Sequence, residues 1–275
     1  MLFNSFAFCF IFFPLVTAGY FLLPHRYRWA LLLAASCWFY MAFVPAYILI
    51  LAFTIVVDYV AGLLIAGSSG RRRKAWLVAS IVANLGVLAF FKYYAFLDQS
   101  IAALLQAAGF AYTPTDLGIL LPIGLSFHTF QSLSYTIEVY RGHQKAERRP
   151  GHFALYVMFY PQLVAGPIER PGNLLNQLDH VHHWDHARVV HGLQQMLWGF
   201  FKKLVIADRC AVVVDHVYAD PQTFGGAATL LATYLFALQI YCDFSGYTDI
   251  ALGAARVMGF DLMVNFRTPY RSASI

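Results

Sequence analysis

The 275-residue chain is 60% hydrophobic and 12% charged, and its mean hydropathy is +0.59. Soluble globular proteins carry about 25% charged residues. The composition therefore excludes an ordinary soluble domain and is typical of an integral membrane protein. In such a protein the net charge of +5 sets membrane topology, so we expect membrane lipid as the surroundings and no nucleic-acid partner.

Four apolar runs in the first hundred residues predict membrane-spanning helices, because about 20 apolar residues cross a bilayer. They cover residues 6–23, 29–43, 46–65 and 76–91. If all four span, the basic clusters at 24–28 and 71–74 fall on the same side. The positive-inside rule makes that side cytoplasmic and predicts that the N-terminus lies outside.

The middle of the chain is more polar. Residues 96–110 carry a helical apolar stripe and predict an interfacial helix on the outer face. Residues 117–140 form a fifth long run, and the basic stretch 141–149 after it again falls on the cytoplasmic side. Residues 153–165 are short for a span and predict a re-entrant or interfacial segment. The fold class is therefore all-α, a multi-pass transmembrane helical bundle.

Residues 241–251 form the densest polar interruption of the apolar sequence. On a helix, Tyr241, Ser245 and Asp249 lie on one side, and Asp243 points to the other. Gly246 within this stretch would permit close helix packing, as would Gly253 after it. The pattern predicts the wall of a buried polar path. Polar bonding between helices, without a path, is the alternative.

Three further polar features lie in apolar surroundings. Asp58 is a candidate functional carboxylate, although a hydrogen bond to Thr54 or to a neighbouring helix is the preferred interpretation. His128 could be a general base, but a hydrogen-bonded structural histidine is preferred. Glu138 and Arg141, three residues apart, predict an interfacial ion pair.

A dense histidine cluster occupies residues 180–186. His182 and His186 could bind zinc if this segment were helical, because they are four residues apart. No further ligand completes a recognisable metal pattern, so a solvated cytoplasmic loop is the preferred interpretation and no metal site is predicted.

Lys202 and Lys203 interrupt an apolar segment. Their ammonium groups could reach the cytoplasmic headgroups along apolar stems, which is the preferred interpretation. The alternative is that they line a polar entry for an anionic acyl donor.

Four distinct sequence motifs follow one another between residues 120 and 275. The first runs from LPIGLSF at Leu121 to Gly142, and the second is FYPQLVAGPI from Phe159. The third begins WGFFKK at Trp198, and the fourth is YCDFSGYTDIA at Tyr241, followed by Asn265-Phe266 and Pro269-Tyr270. Together they resemble the membrane-bound O-acyltransferases, in particular the bacterial alginate O-acetyltransferase branch.

The resemblance implies a ring-like bundle in the bacterial inner membrane. It implies transfer of an acyl group, commonly acetyl, from a cytoplasmic thioester donor to hydroxyls of an extracytoplasmic polysaccharide such as alginate. The donor would be acetyl-CoA or an acyl carrier protein, with no bound cofactor; a relative that alanylates teichoic acid uses an acyl carrier protein. A periplasmic acetyltransferase is a further possible partner.

The resemblance also assigns candidate residues. Those expected to line or support the path are Gln131, Tyr241, Asp243, Ser245, Asp249 and Asn265. Those expected on the donor side are Pro161, Gln162, Arg170, Lys202 and Lys203. The family's catalytic histidine is expected beyond Ile275, so the chain is predicted to be an N-terminal fragment, inactive alone, of one domain with N-terminal helices (1–116) and family-core helices (117–275).

Two other function classes remain open from the sequence. A transporter or channel could use Asp58, Asp243 and Asp249 as an ion path. A non-catalytic membrane anchor for a periplasmic acetyltransferase is the other.

Overall fold

The computed structural model describes residues 1–113, 122–163, 166–266 and 269–272. Regular structure in these ranges is entirely helical, which confirms the predicted all-α class. The α-helices of the described ranges, in chain order, are α1 Phe13–Leu22, α2 His25–Met41, α3 Ile48–Ala66, α4 Gly70–Ala107, α5 Leu125–Arg141, α6 Pro150–Met158, α7 Pro171–Gln177, α8 His186–Phe200, α9 Asp208–Ala219 and α10 Pro221–Met258. π-Helical turns cover Phe8–Phe12 and Phe201–Ala207, and 3₁₀ turns cover Pro45–Tyr47 and Pro269–Arg271.

Within the described ranges, three helical stretches are long and apolar enough to cross a bilayer. They are Pro45–Ala66, Gly70–Ala107 and Pro221–Met258. The apolar stretch Phe8–Leu22 is shorter. The chain divides into two compact units. One comprises Met1–Phe43 with Met158–Ile275, and the other comprises Val44–Val157.

The unit Val44–Val157 is built on α3, α4 and α5, which pack on one another around a buried polar centre. The Asp58 carboxylate accepts hydrogen bonds from the Ser80 hydroxyl at 2.6 Å and from Asn84 Nδ2 at 2.8 and 3.0 Å. This confirms that a neighbouring helix satisfies Asp58. Thr54 does not take part, because its hydroxyl donates to the Leu51 carbonyl at 3.0 Å.

The separate interfacial helix predicted over 96–110 is wrong. Helix α4 continues unbroken from Gly70 to Ala107. The charged and aromatic residues at 92–94 suggested a helix end, but they contain neither glycine nor proline and do not terminate a helix. In the fifth run, α5 begins only at Leu125, after Gly124 in a left-handed conformation with φ of 76°. Residues 117–121 of that run lie outside the described ranges.

In the other unit an aromatic cluster joins the N-terminal helices to the segment after α6. The Phe3 and Phe8 rings lie 4.9 Å apart, and the Phe12 and Tyr160 rings lie 5.1 Å apart. The Tyr160 amide donates to the Ser36 hydroxyl at 3.0 Å. The run predicted over 153–165 is helical only to Met158, after which the chain turns, and its last two residues lie outside the described ranges.

Candidate functional site

The candidate site rests on two helical segments that approach unusually closely. Helix α8, the π-helical turn and α9 follow one another without a break and pack along α10. A Cβ on Gly199 would lie 2.6 Å from the Gly246 carbonyl oxygen, and one on Gly192 would lie 2.8 Å from that of Gly253. These glycine pairs occur in opposite order along the two segments, so the segments run antiparallel. The predicted close packing at Gly246 and Gly253 is confirmed.

Beside these crossings, two adjacent lysines of the π-helical turn meet carboxylates. Lys202 Nζ forms an ion pair with Asp249, and Gln195 Nε2 donates to the same carboxylate at 3.3 Å. Lys203 Nζ lies 2.5 Å from Asp243 Oδ1 and 2.8 Å from Asp208 Oδ1. We call these residues the lysine–aspartate network.

The network is specified by local geometry. Asp243 and Asp249 project from different sides of α10, as the helical spacing predicted, and each meets its own lysine. The π-helical turn carries both lysines; such turns are rare and frequently mark functional sites. Neither interpretation of the lysines from sequence included these pairs. Lys202 is buried and paired rather than extended to the headgroups.

Two buried hydroxyl groups beside the network lack hydrogen-bond partners among the described residues. Ser245 and Thr248 are buried, and neither hydroxyl has a hydrogen-bond partner within the residues that the structure describes. A buried hydroxyl without a partner costs roughly 1–3 kcal/mol. This side of α10 therefore has hydrogen-bonding capacity for a further group.

A second polar cluster, which sequence reasoning missed, holds the chain just after α10. Glu169 is fully buried and accepts hydrogen bonds from Asn173 Nδ2 at 2.8 Å and from the Met263 amide. Asn173 and Gln177 also donate to the Asp261 carbonyl, at 2.9 and 2.8 Å. The four-residue spacing of Glu169, Asn173 and Gln177 is the signal that could have revealed this clamp.

The histidine cluster is largely the exposed loop preferred from the sequence, since His180, His183 and His186 are exposed, but His182 is an exception. His182 precedes α8, so the helical spacing needed for a zinc pair with His186 is absent. The His182 ring packs against Phe260 at 4.9 Å and hydrogen-bonds the Gln177 carbonyl at 3.1 Å. It is therefore not simply part of a solvated loop. Among the described residues, no three His, Cys, Asp or Glu side chains are grouped to hold a metal ion.

The remaining path candidates are Gln131, Tyr241 and Asn265. Gln131, in the unit Val44–Val157, is buried and donates to the Tyr156 carbonyl at 2.7 Å, which ties α5 to α6. The Tyr241 ring packs edge-on against Tyr270 at 5.6 Å. Asn265 is exposed.

The other donor-side candidates surround the turn after α6. Pro161 and Gln162 are buried in that turn. Arg170 is exposed, immediately before α7.

Two further expectations concern the Glu138–Arg141 pair and His128. Glu138 and Arg141 form the predicted ion pair, at 3.8 Å. His128 is buried as predicted, but neither ring nitrogen has a hydrogen-bond partner within the described ranges, so the expected hydrogen bond is not found there.

Comparison with known proteins gives this geometry a family context. Residues 149–273 match the model of MBOAT, the membrane-bound O-acyltransferase family. The whole chain is 41% identical over 281 residues to a probable alginate O-acetylase AlgI of Azotobacter vinelandii, covering 55% of that protein. It is 40% identical over 278 residues to that of Pseudomonas aeruginosa, covering 53%. A peptidoglycan O-acetyltransferase of Helicobacter pylori is 29% identical over 307 residues, with all of this chain and 57% of that protein covered.

The all-α fold is that of a membrane protein, and these similarities relate it to the membrane-bound O-acyltransferase family. The predicted likeness to the alginate O-acetylase branch is confirmed. The chain spans about half the length of the curated relatives it matches.

Proposed function

We propose that the complete protein is a membrane O-acyltransferase that transfers acetyl groups to hydroxyls of an extracytoplasmic polysaccharide. The observation that carries this proposal is the similarity, at about 40% identity, of the entire chain to probable alginate O-acetylases. Alginate is therefore the favoured acceptor. Peptidoglycan is the second candidate, because the Helicobacter pylori relative matches the whole chain at 29% identity.

In the proposed reaction, a histidine that the family resemblance places beyond Ile275 takes the proton of the acceptor hydroxyl. The hydroxyl oxygen attacks the thioester carbonyl carbon, the carbon–sulfur bond breaks, and the thiol leaves with the proton from the histidine. Acetyl-CoA or an acyl carrier protein would supply the thioester.

In this proposal the residues of this chain do not react; they hold the helices in position. The ion pairs of Lys202 with Asp249 and of Lys203 with Asp243 hold α10 against the π-helical turn. The clamp at Glu169 holds the chain that leaves α10. The ion pairs and the clamp would thereby position the segment that follows α10 close to the acyl donor. The unpartnered hydroxyls of Ser245 and Thr248 would line the path.

The same proposal includes the membrane location, the topology and the partners of the protein. Residues 1–275 would form the N-terminal part of one acyltransferase domain in the bacterial inner membrane, with the N-terminus outside. An acyl carrier protein would approach from the cytoplasm, and a periplasmic acetyltransferase could receive acetyl groups outside.

The test is the O-acetyl ester content of alginate from a host that lacks its own gene and carries the complete protein. We expect wild-type protein to restore acetylation, and Asp249→Asn and Asp243→Asn to reduce it. Asp215→Asn is the matched control, because Asp215 is exposed on α9. Wild-type acetylation in both variants, at equal expression, would remove these carboxylates from the mechanism. Unacetylated alginate with wild-type protein would contradict alginate as acceptor, and peptidoglycan is then assayed.

A further inference from the structure

A basic cavity of about 720 Å³ lies in the unit Val44–Val157, where α3 and α5 end. Arg73, from the first turns of α4, lines it together with Lys145 and Arg148 from the connection between α5 and α6. No carboxylate occurs among its described lining residues. The cavity thus concentrates positive charge without an internal counter-ion.

Arg73 is held rigidly at this cavity. Its Nη2 atom donates to the Val139 and Tyr140 carbonyls, at 3.1 and 2.7 Å, at the end of α5. Its Nε atom is buried and has no hydrogen-bond partner within the described residues. The guanidinium group is therefore fixed in place with a donor still unused.

Lys145 and Arg148 are exposed, and no ion pair of either is seen in the described part of the chain. The Tyr59 hydroxyl holds the backbone of this connection by donating to the Arg148 carbonyl at 2.6 Å. Both cations are therefore available to a ligand on a connection whose backbone is fixed.

The nearest carboxylates in sequence are engaged with other side chains. Glu138 lies 3.0 Å from His143 Nδ1. Glu147 accepts from Arg149 Nε at 2.9 Å. Burial alone would raise the pKa of Glu147, but the hydrogen bonds and charge of Arg149 outweigh it and lower that pKa. These carboxylates do not neutralise the cations of the cavity.

Part of the cavity lining is apolar. Leu63 and Ala66 line it from the last turn of α3, which lies in the candidate span Pro45–Ala66. The end of a spanning helix lies at the level of the lipid headgroups. A cavity lined by both cations and apolar side chains, at that level, matches a molecule with an anionic head and an apolar body.

We propose that this cavity binds an anionic phospholipid, with its phosphate on Arg73, Lys145 and Arg148 and its glycerol and first acyl carbons against Leu63 and Ala66. Basic pockets between transmembrane helices bind anionic headgroups in this way. The apolar wall favours a lipid over a soluble phosphate compound, which would leave that wall in contact with water.

The test is native mass spectrometry of the purified protein with phosphatidylglycerol or phosphatidylcholine. We expect retained phosphatidylglycerol at a discrete stoichiometry and little phosphatidylcholine. Lys145→Gln/Arg148→Gln should weaken phosphatidylglycerol binding about 30-fold, since each cation near the surface contributes about 1 kcal/mol. Arg71→Gln/Arg72→Gln is the matched control, because it removes two exposed charges outside the cavity lining.

A third variant separates shape from charge. Ala66→Phe fills the apolar side and leaves every cation, and it should also release the lipid. Equal losses in both double variants would mean diffuse surface attraction and would overturn the proposal. So would unchanged binding in Lys145→Gln/Arg148→Gln. Displacement of the lipid by glycerol 3-phosphate at equal concentration would also overturn it, because the ligand would then be a soluble phosphate compound.

Discussion

Lys202 and Asp249 form an ion pair in which only 10% of the lysine side chain and 20% of the aspartate side chain are exposed. The adjacent Lys203 is shared between Asp208 and Asp243, which are 43% and 44% exposed. Removal of Asp249 leaves the buried Lys202 without a counter-ion, whereas Lys203 keeps one carboxylate when either Asp208 or Asp243 is removed. The two neighbouring lysines therefore make unequal contributions to stability.

Asp249→Asn should lower the free energy of unfolding by about 3 kcal/mol, because it leaves Lys202 buried without its counter-charge. Asp243→Asn should cost less, about 1 kcal/mol, because Asp208 remains as a counter-charge for Lys203. Chemical unfolding of the purified protein in detergent measures both, with Asp215→Asn as the exposed control.

The charge-free variant Lys202→Met/Asp249→Leu completes this comparison. It should recover most of the stability lost in Asp249→Asn, since no unpaired charge remains. If the double variant is as unstable as Asp249→Asn, the loss comes from something other than a stranded lysine.

Gly199→Ala should destabilise the protein by about 1–3 kcal/mol, the usual cost of overpacking. The new Cβ would lie 2.6 Å from the Gly246 carbonyl oxygen, which belongs to a backbone that cannot move aside without parting the helices. Thermal unfolding in detergent measures the effect.

Gly86→Ala in α4 is the matched control for that substitution. Nothing lies within 4 Å of its added Cβ, so the change should be neutral or slightly stabilising. Equal melting temperatures for the two variants would contradict a close backbone crossing at Gly199.

The sequence predicted the close approach at Gly246 and the opposite directions of Asp243 and Asp249, because both follow from helical spacing alone. It did not predict which residues these carboxylates meet. Lys202 and Lys203 precede them by some 40 residues. The directions in which the two lysine side chains point depend on the π-helical turn, and no local sequence pattern predicts such a turn.

Contacts between residues distant in sequence also explain why the clamp at Glu169 was not predicted. The clamp at Glu169 joins α7 to backbone atoms after α10, and a backbone amide such as that of Met263 leaves no trace in a sequence pattern. The helix end expected near residue 92 failed for a different reason. Polarity marks where a helix meets water, but it does not mark where the helix stops.

Ser80→Ala should destabilise the unit Val44–Val157 by about 1.5–3 kcal/mol, the range for a hydrogen bond to a charged group. The variant removes the 2.6 Å hydrogen bond to the fully buried Asp58 carboxylate and the 3.2 Å bond to Thr136. Ser100→Ala is a control on the same helix, because that exposed hydroxyl bonds only its own helix at Phe96. Chemical unfolding should separate the two, and equal stabilities would contradict a structural role for the Asp58 centre.

Glu169 and Glu147 should respond to pH in opposite directions. Burial raises the pKa of Glu169 despite hydrogen bonds from Asn173 and Met263, so its contribution to stability is full below the unfolded value of about 4.5 and is lost as pH rises through the folded pKa. Hydrogen bonds from Arg149 outweigh burial and lower the pKa of Glu147, so its contribution is present above about 4.5 and is lost as pH falls.

Unfolding of wild type, Glu169→Gln and Glu147→Gln is measured from pH 4 upwards. The stability of wild type relative to Glu169→Gln should fall with rising pH, and relative to Glu147→Gln it should fall with falling pH. Parallel curves for all three proteins would contradict both shifts.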